Sequence, residues 1–310
     1  MNALTQTVIP IFGLMVIGFV SARVRLMDEA GIRGLVLFVF TFSIPALLFD
    51  SLAVMTLPDD LDWGFLIAFY VASFVTYGLG VLVGGAGFRR SLDEQAIFGM
   101  GAAFSNLVLM GIPVVLTALG PDASLPMLII IGFHSATFMP LTVALIQAGR
   151  GGESAVAGRI VAVFGDVLRN PIILGILAGL VVNRTGLPLP TSLQGLLGFL
   201  GAAAVPCALF AMGASLATYP LRGDVSPAIA LTVLKLVVHP LLVWLVAVPL
   251  LGLQGMAVDV AIVLAAMPSA VNVYLFGARY EAAPGIAART VVLTTVASVL
   301  TIIAVLAVVT

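Results

Sequence analysis

The chain has 310 residues, of which 62% are hydrophobic and only 9% charged, and its formal net charge is −1 at pH 7. Soluble domains carry about 25% charged residues, so this composition excludes a soluble globular protein. The chain has no basic patch of the kind that neutralises phosphates, which argues against a nucleic-acid partner. The single cysteine, Cys207, excludes an internal disulfide and fits no metal-ligand spacing. We expect an all-α integral membrane protein that needs no metal and no cofactor.

Apolar runs follow one another along the whole chain. A membrane-crossing helix needs about 20 apolar residues, and the first such run precedes Arg23 and Arg25 instead of following a positive segment, so we expect an uncleaved first span. The ten predicted transmembrane helices cover about 4–22, 34–57, 63–88, 95–120, 123–149, 161–183, 191–218, 226–251, 256–278 and 288–309.

The placement of basic residues supports this division. Ten arginines fall at one set of alternate span ends, and only Arg184 falls at the other set. The ten are Arg23, Arg25, Arg33, Arg89, Arg90, Arg150, Arg159, Arg222, Arg279 and Arg289. The positive-inside rule then places both termini on the outer side of the cell inner or plasma membrane, and the acidic loop of Asp59, Asp60 and Asp62 also fits the outer face.

The chain also resembles itself at an offset of 161 residues. The matching pairs include Pro10 with Pro171, Ile11 with Ile172, Gly18 with Gly179, Val20 with Val181, Phe38 with Phe199, Pro45 with Pro206, Leu48 with Leu209 and Phe49 with Phe210. Each half, 1–150 and 151–310, then holds five spans, and an odd number gives the second half the opposite orientation. Inverted repeats are typical of secondary transporters, whose substrate site lies near the midplane.

Breaks are predicted in the fourth and ninth spans, at 105–113 and 268–272. Proline and glycine interrupt helices, and counting helical rise places both breaks near mid-membrane. The half-helix that follows each break begins there, so two positively polarised N-termini would approach one another and favour an anion. Asn106 and Asn272 can cap the broken ends or bond the substrate, since an amide both donates and accepts hydrogen bonds.

Charged and titratable residues inside spans are the second group of candidates. Lys235 lies near the middle of the eighth span, where charge is costly and faces a partner or a polar path. It would attract the substrate, occupy a cation site, or pair with a carboxylate such as Asp259. Together with His239, one turn further, and Asp50, it is a candidate for coupling or charge compensation.

Three further residues are left without a functional role. Asp166 and Arg169 are spaced to pair with each other, and the role of His134 in the fifth span stays open.

In these and neighbouring motifs the sequence resembles the auxin efflux carrier family, in particular its bacterial malate- and malonate-permease-like members. The resemblance covers essentially the whole chain. It is carried by the segments 8–12, 44–49, 106–113, 170–179, 187–190, 206–216, 235–240 and 268–280.

The resemblance implies a fold like that of bile-acid carriers and sodium/proton antiporters, with broken helices 4 and 9 that cross. It also implies that the crossed breaks bind the substrate through, by position, Asn106, Gly111, Pro113, Pro268, Ser269 and Asn272. Helices 1, 2, 6 and 7 would form a scaffold that pairs into a homodimer, and helices 3–5 and 8–10 a transport domain with elevator-like movement. The implied substrate is a small organic anion, a malate- or malonate-like dicarboxylate in bacterial members and indole acetate in plants. A coupled proton or sodium ion, and import or export, stay open.

Three alternatives remain. A cation/proton antiporter of the same architecture would carry mid-membrane carboxylates beside the breaks, and 95–120 contains none. A membrane enzyme would show a motif such as HExxH or paired aspartates within a span, and no predicted span contains one, so we expect no enzyme. A non-transporting receptor would keep the fold and lack substrate flux.

Overall fold

In the computed structural model, residues 2–55, 62–151, 169–219 and 223–309 are described. All regular elements within these ranges are helices, as the composition predicts. Asp59, Asp60, Arg159, Asp166 and Arg222 lie outside the described residues, and so does the beginning of the predicted sixth span.

We number twelve helices in the described ranges. They are α1 Asn2–Arg23, α2 Glu29–Val54, α3 Gly64–Gly87, α4 Leu92–Ala103, α5 Leu107–Leu119, α6 Pro121–Gly149, α7 Pro171–Thr185, α8 Thr191–Leu216, α9 Ser226–Leu250, α10 Met256–Ala265, α11 Val271–Arg279 and α12 Pro284–Val309.

Several of these helices fit a bilayer by length and composition. Among the described residues α2, α3, α6, α8, α9 and α12 are long and apolar enough to cross a membrane, and α5, α7, α10 and the part Val8–Arg23 of α1 are shorter apolar helices. Large apolar side chains point outward, including Phe199 at 84% exposure and Val308 at 80%. Water would disfavour so much exposed apolar surface, whereas lipid accepts it. The protein is therefore a multi-pass membrane protein.

The chain divides into two compact units. Unit 1 comprises Met1–Leu61, Val108–Leu128 and Asp166–Thr218, and unit 2 comprises Asp62–Leu107, Ile129–Gly165 and Tyr219–Thr310. Unit 1 thus holds α1, α2, α7 and α8 with most of α5 and the start of α6. Unit 2 holds α3, α4, α9, α10, α11, α12 and the rest of α6.

Close helix crossings through glycine hold unit 1 together. A Cβ added at Gly18 in α1 would lie 2.1 Å from the carbonyl oxygen of Phe210 in α8, and one added at Gly179 in α7 would lie 2.7 Å from that of Phe49 in α2. Gly18 matches Gly179 in the repeat, and Phe49 matches Phe210. The same glycine-to-backbone contact is therefore made twice with the two halves exchanged.

Local sequence signals explain how α7 begins and ends. The Asn170 side chain accepts a hydrogen bond from the Ile172 amide at 2.9 Å, and Pro171 occupies the first helical position, where a missing amide hydrogen does no harm. Gly186 ends the helix with φ of 63°, a left-handed conformation that glycine adopts without strain.

Three prolines inside the long apolar runs follow π-helical turns. The turn Val39–Ser43 precedes Pro45, Leu107–Gly111 precedes Pro113, and Leu234–Val238 precedes Pro240. In each case the α-helix resumes one residue before the proline. A proline has no amide hydrogen and its ring crowds the preceding turn, so a wider turn before it lets the helix continue. These prolines thus widen helices without interrupting them.

Candidate functional site

Two interruptions of the helical backbone lie in unit 2. The first separates α4, which ends at Ala103, from α5, which begins at Leu107. The second separates α10, which ends at Ala265, from α11, which begins at Val271. Both were predicted in these spans, but the first covers only residues 104–106, at the N-terminal end of the predicted segment 105–113.

Gly111 and Pro113 therefore do not form the first interruption, contrary to our prediction. Gly111 ends the π-helical turn and Pro113 lies in the first turn of the α-helical part of α5, and both belong to unit 1. Because the π turn accommodates Pro113, the chain does not have to break there. Of the expected substrate residues, Asn106, Pro268 and Ser269 lie at the interruptions, and Asn272 is the second residue of α11, the helix after the second interruption.

The two interruptions cross each other as a short antiparallel bridge between Ser105 and Ser269. The Asn106 amide donates to the Pro268 carbonyl at 2.8 Å, and the Ala270 amide donates to the Phe104 carbonyl at 3.0 Å. Buried backbone groups need partners, and here each broken helix satisfies the other. We call residues 104–106 and 268–270 the crossing.

The two central amides of the crossing point away from the bridge and are bonded by side chains. The Ser105 amide donates to Nε2 of His134 in α6 at 3.0 Å. The Ser269 amide donates to Oγ1 of Thr294 in α12 at 3.1 Å, and the Ser269 hydroxyl donates to the Gly101 carbonyl at 2.7 Å. No sequence motif pointed to Thr294, and the role of His134 was left open.

Several polar groups at the crossing remain available. The hydroxyl oxygen of Ser105 and Nδ1 of His134 are buried and lack a hydrogen-bond partner within the described residues. Asn272 is in the first turn of α11, half-buried, and its side chain makes no hydrogen bond in that same part of the chain. The beginning of α11 has no side-chain cap either. Polar groups of this kind are suited to a polar ligand or water.

Lys235 lies beside the second interruption, fully buried in the π-helical turn of α9. Its Nζ donates to the carbonyl of Ala265, the last residue of α10, at 2.6 Å, and lies 3.1 Å from Nδ1 of His239. The amine thus lies at the negatively polarised end of α10.

The two other charged candidates make no such contact. Asp259 is in the first turn of α10, while Lys235 binds the last residue of that helix, so the suggested pair with Asp259 is wrong. The three ion pairs found among the described residues lie elsewhere. Asp50 lies in α2 of unit 1, half-buried.

The buried polar chain continues from His239. Its Nε2 lies 2.8 Å from the hydroxyl oxygen of Ser73 in α3, and that hydroxyl donates to the Phe69 carbonyl at 2.7 Å. Among the described residues no cluster of three or more histidine, cysteine, aspartate or glutamate side chains is placed to hold a metal ion. The site is thus built from neutral polar groups and one lysine.

Comparison with known proteins agrees with this architecture. The profile of the family described as "Membrane transport protein" matches residues 3–306. A Rhizobium meliloti protein named "Putative malonate transporter" is 31% identical over 97% of this chain and 94% of its own length. An "Uncharacterized transporter" of Methanothermobacter thermautotrophicus is 28% identical over 86% of this chain and 85% of its own.

A more distant likeness extends to animals. The mouse "Lysosomal cholesterol signaling protein" is 28% identical over 74% of this chain, which corresponds to 28% of the mouse protein. The family profile covers nearly every residue and includes both interruptions. The chain therefore belongs to the membrane transport protein family, the auxin efflux carrier family that its motifs resemble.

Proposed function

We propose that this protein is a secondary active transporter of a small organic anion, and that the crossing in unit 2 binds the substrate. The observation that carries the proposal is the meeting of two interrupted helices beside a buried lysine, with Asn272 and the uncapped beginning of α11 left available. Transporters use such interruptions to bind substrates away from water.

In this proposal the ten predicted spans form two inverted five-helix repeats. The paired glycine contacts of Gly18 with Phe210 and Gly179 with Phe49 support the repeat within unit 1. In unit 2 the bonds from Ser105 to His134 and from Ser269 to Thr294 support it, because each half supplies one acceptor from its last helix. Both observations follow if the two halves descend from one five-helix unit.

Alternating access would then be elevator-like, with unit 2 carrying the substrate. The scaffold would consist of the predicted spans 1, 2, 6 and 7, which correspond to α1, α2, α7 and α8, and it would form a homodimer. The protein would lie in the cell inner membrane or plasma membrane with both termini outside. The grouping of α1, α2, α7 and α8 in unit 1 supports the scaffold assignment. A coupled proton or sodium ion would drive the cycle through Lys235, His239 and Asp50.

An anion suits the electrostatics of the site better than a cation. The first turn of α11 carries a partial positive charge, and an anion there gains about 0.3–2 kcal/mol. In α4 the only carboxylates, Asp93 and Glu94, are in the first turn, and the interruption follows the last turn. A cation/proton antiporter needs a carboxylate at the crossing, so this arrangement argues against one. Since a malonate transporter is named among the relatives, we propose a malonate-like dicarboxylate as substrate.

Malonate should stabilise the purified protein and be taken up by proteoliposomes, whereas malonamide should do neither. The two compounds have similar size, but only the acid gains from the helix end and from Lys235. Thermal unfolding with each compound and uptake of labelled malonate test this. Binding of malonamide as tight as that of malonate would contradict the electrostatic argument. Binding of malonate without uptake would indicate a receptor.

Asn272→Leu should reduce malonate uptake by about tenfold or more while leaving the melting temperature nearly unchanged. The Asn272 side chain makes no hydrogen bond within the described residues, so its loss removes a ligand contact and strands no protein group. Asn106→Leu should also abolish uptake, because Asn106 is buried in the crossing. Uptake and thermal unfolding are measured on the same preparations.

Asn183→Leu is the matched control for Asn272→Leu. The Asn183 amide donates to the carbonyls of Leu52 and Met55 at the end of α2, at 2.9 and 2.7 Å. Its removal should lower the melting temperature and affect uptake only through the amount of folded protein. Normal uptake by Asn272→Leu protein would remove this residue from the site.

A further inference from the structure

We infer that His134 is a positioning residue of the crossing, and that the two histidines of the chain are held as opposite neutral tautomers. His134 carries its proton on Nδ1 and His239 carries its proton on Nε2. The tautomers follow from hydrogen bonds alone, and the part of the inference that concerns transport rests on the proposed function.

The tautomer of His134 follows from its backbone partner. A backbone amide can only donate, so Nε2 of His134, 3.0 Å from the Ser105 nitrogen, must accept. The proton of a neutral imidazole is then on Nδ1. A charged imidazole has no acceptor nitrogen, so His134 must be neutral while it holds the Ser105 amide.

Packing fixes the plane of the His134 ring. The ring is 2% exposed and stacks on Phe104, the first residue of the crossing, with centroids 4.6 Å apart and planes 24° apart. Phe69 and Phe138 contact it edge-on at 5.8 and 5.2 Å. His134 therefore contacts two consecutive residues of the crossing, one by stacking and the other by a hydrogen bond.

The second half of the chain performs the same task with a different side chain. Thr294 accepts the Ser269 amide at 3.1 Å, while its own hydroxyl donates back to the Thr290 carbonyl at 2.7 Å. Both central amides of the crossing are thus bonded by the last helix of their own half. This equivalence shows that an acceptor is what His134 supplies, because threonine has no aromatic ring and no comparable basicity.

The tautomer of His239 follows from the successive hydrogen bonds that link Ser73, His239 and Lys235. The Ser73 hydroxyl has one hydrogen, which it donates to the Phe69 carbonyl, so Ser73 must accept from Nε2–H of His239. Nδ1 of His239 then has a free lone pair and accepts from Lys235 Nζ at 3.1 Å. The polar groups that face this imidazole are the Lys235 amine, the Ser73 hydroxyl and the Ala265 carbonyl, and that carbonyl already accepts from Lys235 Nζ at 2.6 Å.

Nitrogen-15 NMR of the full-length protein, labelled only at histidine, tests the tautomers directly, because the chain contains two histidines. We expect two neutral imidazoles, one protonated on Nδ1 and the other on Nε2. His134→Gln and His239→Gln variants assign the signals. Two identical tautomers, a charged imidazole at neutral pH, or the reverse assignment would overturn the inference. This readout does not depend on transport, so it stands apart from the proposed function.

Malonate uptake separates positioning from simple packing. Glutamine at position 134 offers a carbonyl oxygen where Nε2 lies, so His134→Gln should keep uptake within about threefold of the wild type. His134→Leu fills the space without an acceptor and should lower the maximal rate by about tenfold or more. Thr294→Ser and Thr294→Val form the matched pair in the other half and should behave in the same way.

The outcomes of the uptake experiment are distinct. Thermal unfolding first establishes that each variant is folded. If the leucine variant does not fold, the comparison of Thr294→Val with Thr294→Ser decides. Equal uptake by His134→Leu and His134→Gln proteins, or loss in both, would overturn the positioning role. If wild-type protein takes up no malonate while the tautomers are opposite, the proposed substrate fails and the assignment of His134 remains.

Discussion

Gly18→Ala should destabilise the protein by about 1–3 kcal/mol, a penalty typical of overpacked sites. The added Cβ would lie 2.1 Å from the Phe210 carbonyl oxygen and 3.1 Å from the Ala214 nitrogen. Both atoms belong to backbone, so α1 and α8 must move apart instead of one side chain turning away. Thermal or denaturant unfolding of purified protein in detergent measures the effect. Gly179→Ala should behave similarly, since its Cβ would lie 2.7 Å from the Phe49 carbonyl.

Gly13→Ala is the matched control, because Gly13 is in the same helix and nothing lies within 4 Å of its added Cβ. Alanine is favoured over glycine in a helix by about 0.8–1.0 kcal/mol, so this variant should be as stable as the wild type or more stable. If Gly18→Ala protein is as stable as Gly13→Ala protein, the close approach of α1 and α8 does not exist. Because both variants replace a glycine of α1 by alanine, the difference between their stabilities reports only the surroundings of the two positions.

The matching residues of the two halves relate these two glycine contacts to each other. Gly179 follows Gly18 by 161 residues, and Phe210 follows Phe49 by the same offset. A pseudo-symmetric fold in which Gly18 contacts Phe210 must therefore also bring Gly179 to Phe49. Sequence alone located the matching residues. It did not show that they touch, because hydrophobic periodicity carries no information about which apolar helices are neighbours when lipid and protein are both apolar.

The first interruption shows the limit of reading proline as a helix breaker. Gly111 and Pro113 predict a break within 105–113, yet the chain leaves the helix only at 104–106, where no proline or glycine occurs. Pairing with the extended segment at Pro268 supplies the hydrogen bonds that those residues lose by leaving the helix. A long-range partner therefore decides the position, and local propensity does not.

Lys235 was recognised from sequence as a buried charge, and His239 as its neighbour one turn away, because both follow from composition and helical spacing. Its backbone partner was not foreseeable. Every residue has a carbonyl group, and only the ending of α10 leaves the one at Ala265 available to Nζ. Long-range contacts to backbone atoms leave no signal in the identity of the partner residue.

Lys235→Met should lower malonate uptake by at least about tenfold and change the melting temperature only slightly. Methionine removes the positive charge and the donor to Ala265 at the end of α10, beside the crossing. The groups left behind, the Ala265 carbonyl and Nδ1 of His239, are neutral. Leaving neutral acceptors without partners costs about 1–3 kcal/mol each, and this loss is offset because an ammonium no longer has to be buried.

The same variant distinguishes a transport role from a structural ion pair. If a buried carboxylate depended on Lys235, removing the amine would destabilise the fold by about 3–5 kcal/mol, and unfolding would detect it. Arg33→Met is the control, because Arg33 forms an exposed pair with Glu29 at 3.5 Å and such pairs contribute about 0–1 kcal/mol. Uptake, malonate affinity and melting temperature are measured on both proteins. A stable Lys235→Met protein with wild-type affinity and uptake would show that the amine of Lys235 serves neither binding nor transport, because the substitution removes both its charge and its hydrogen bonds to Ala265 and His239.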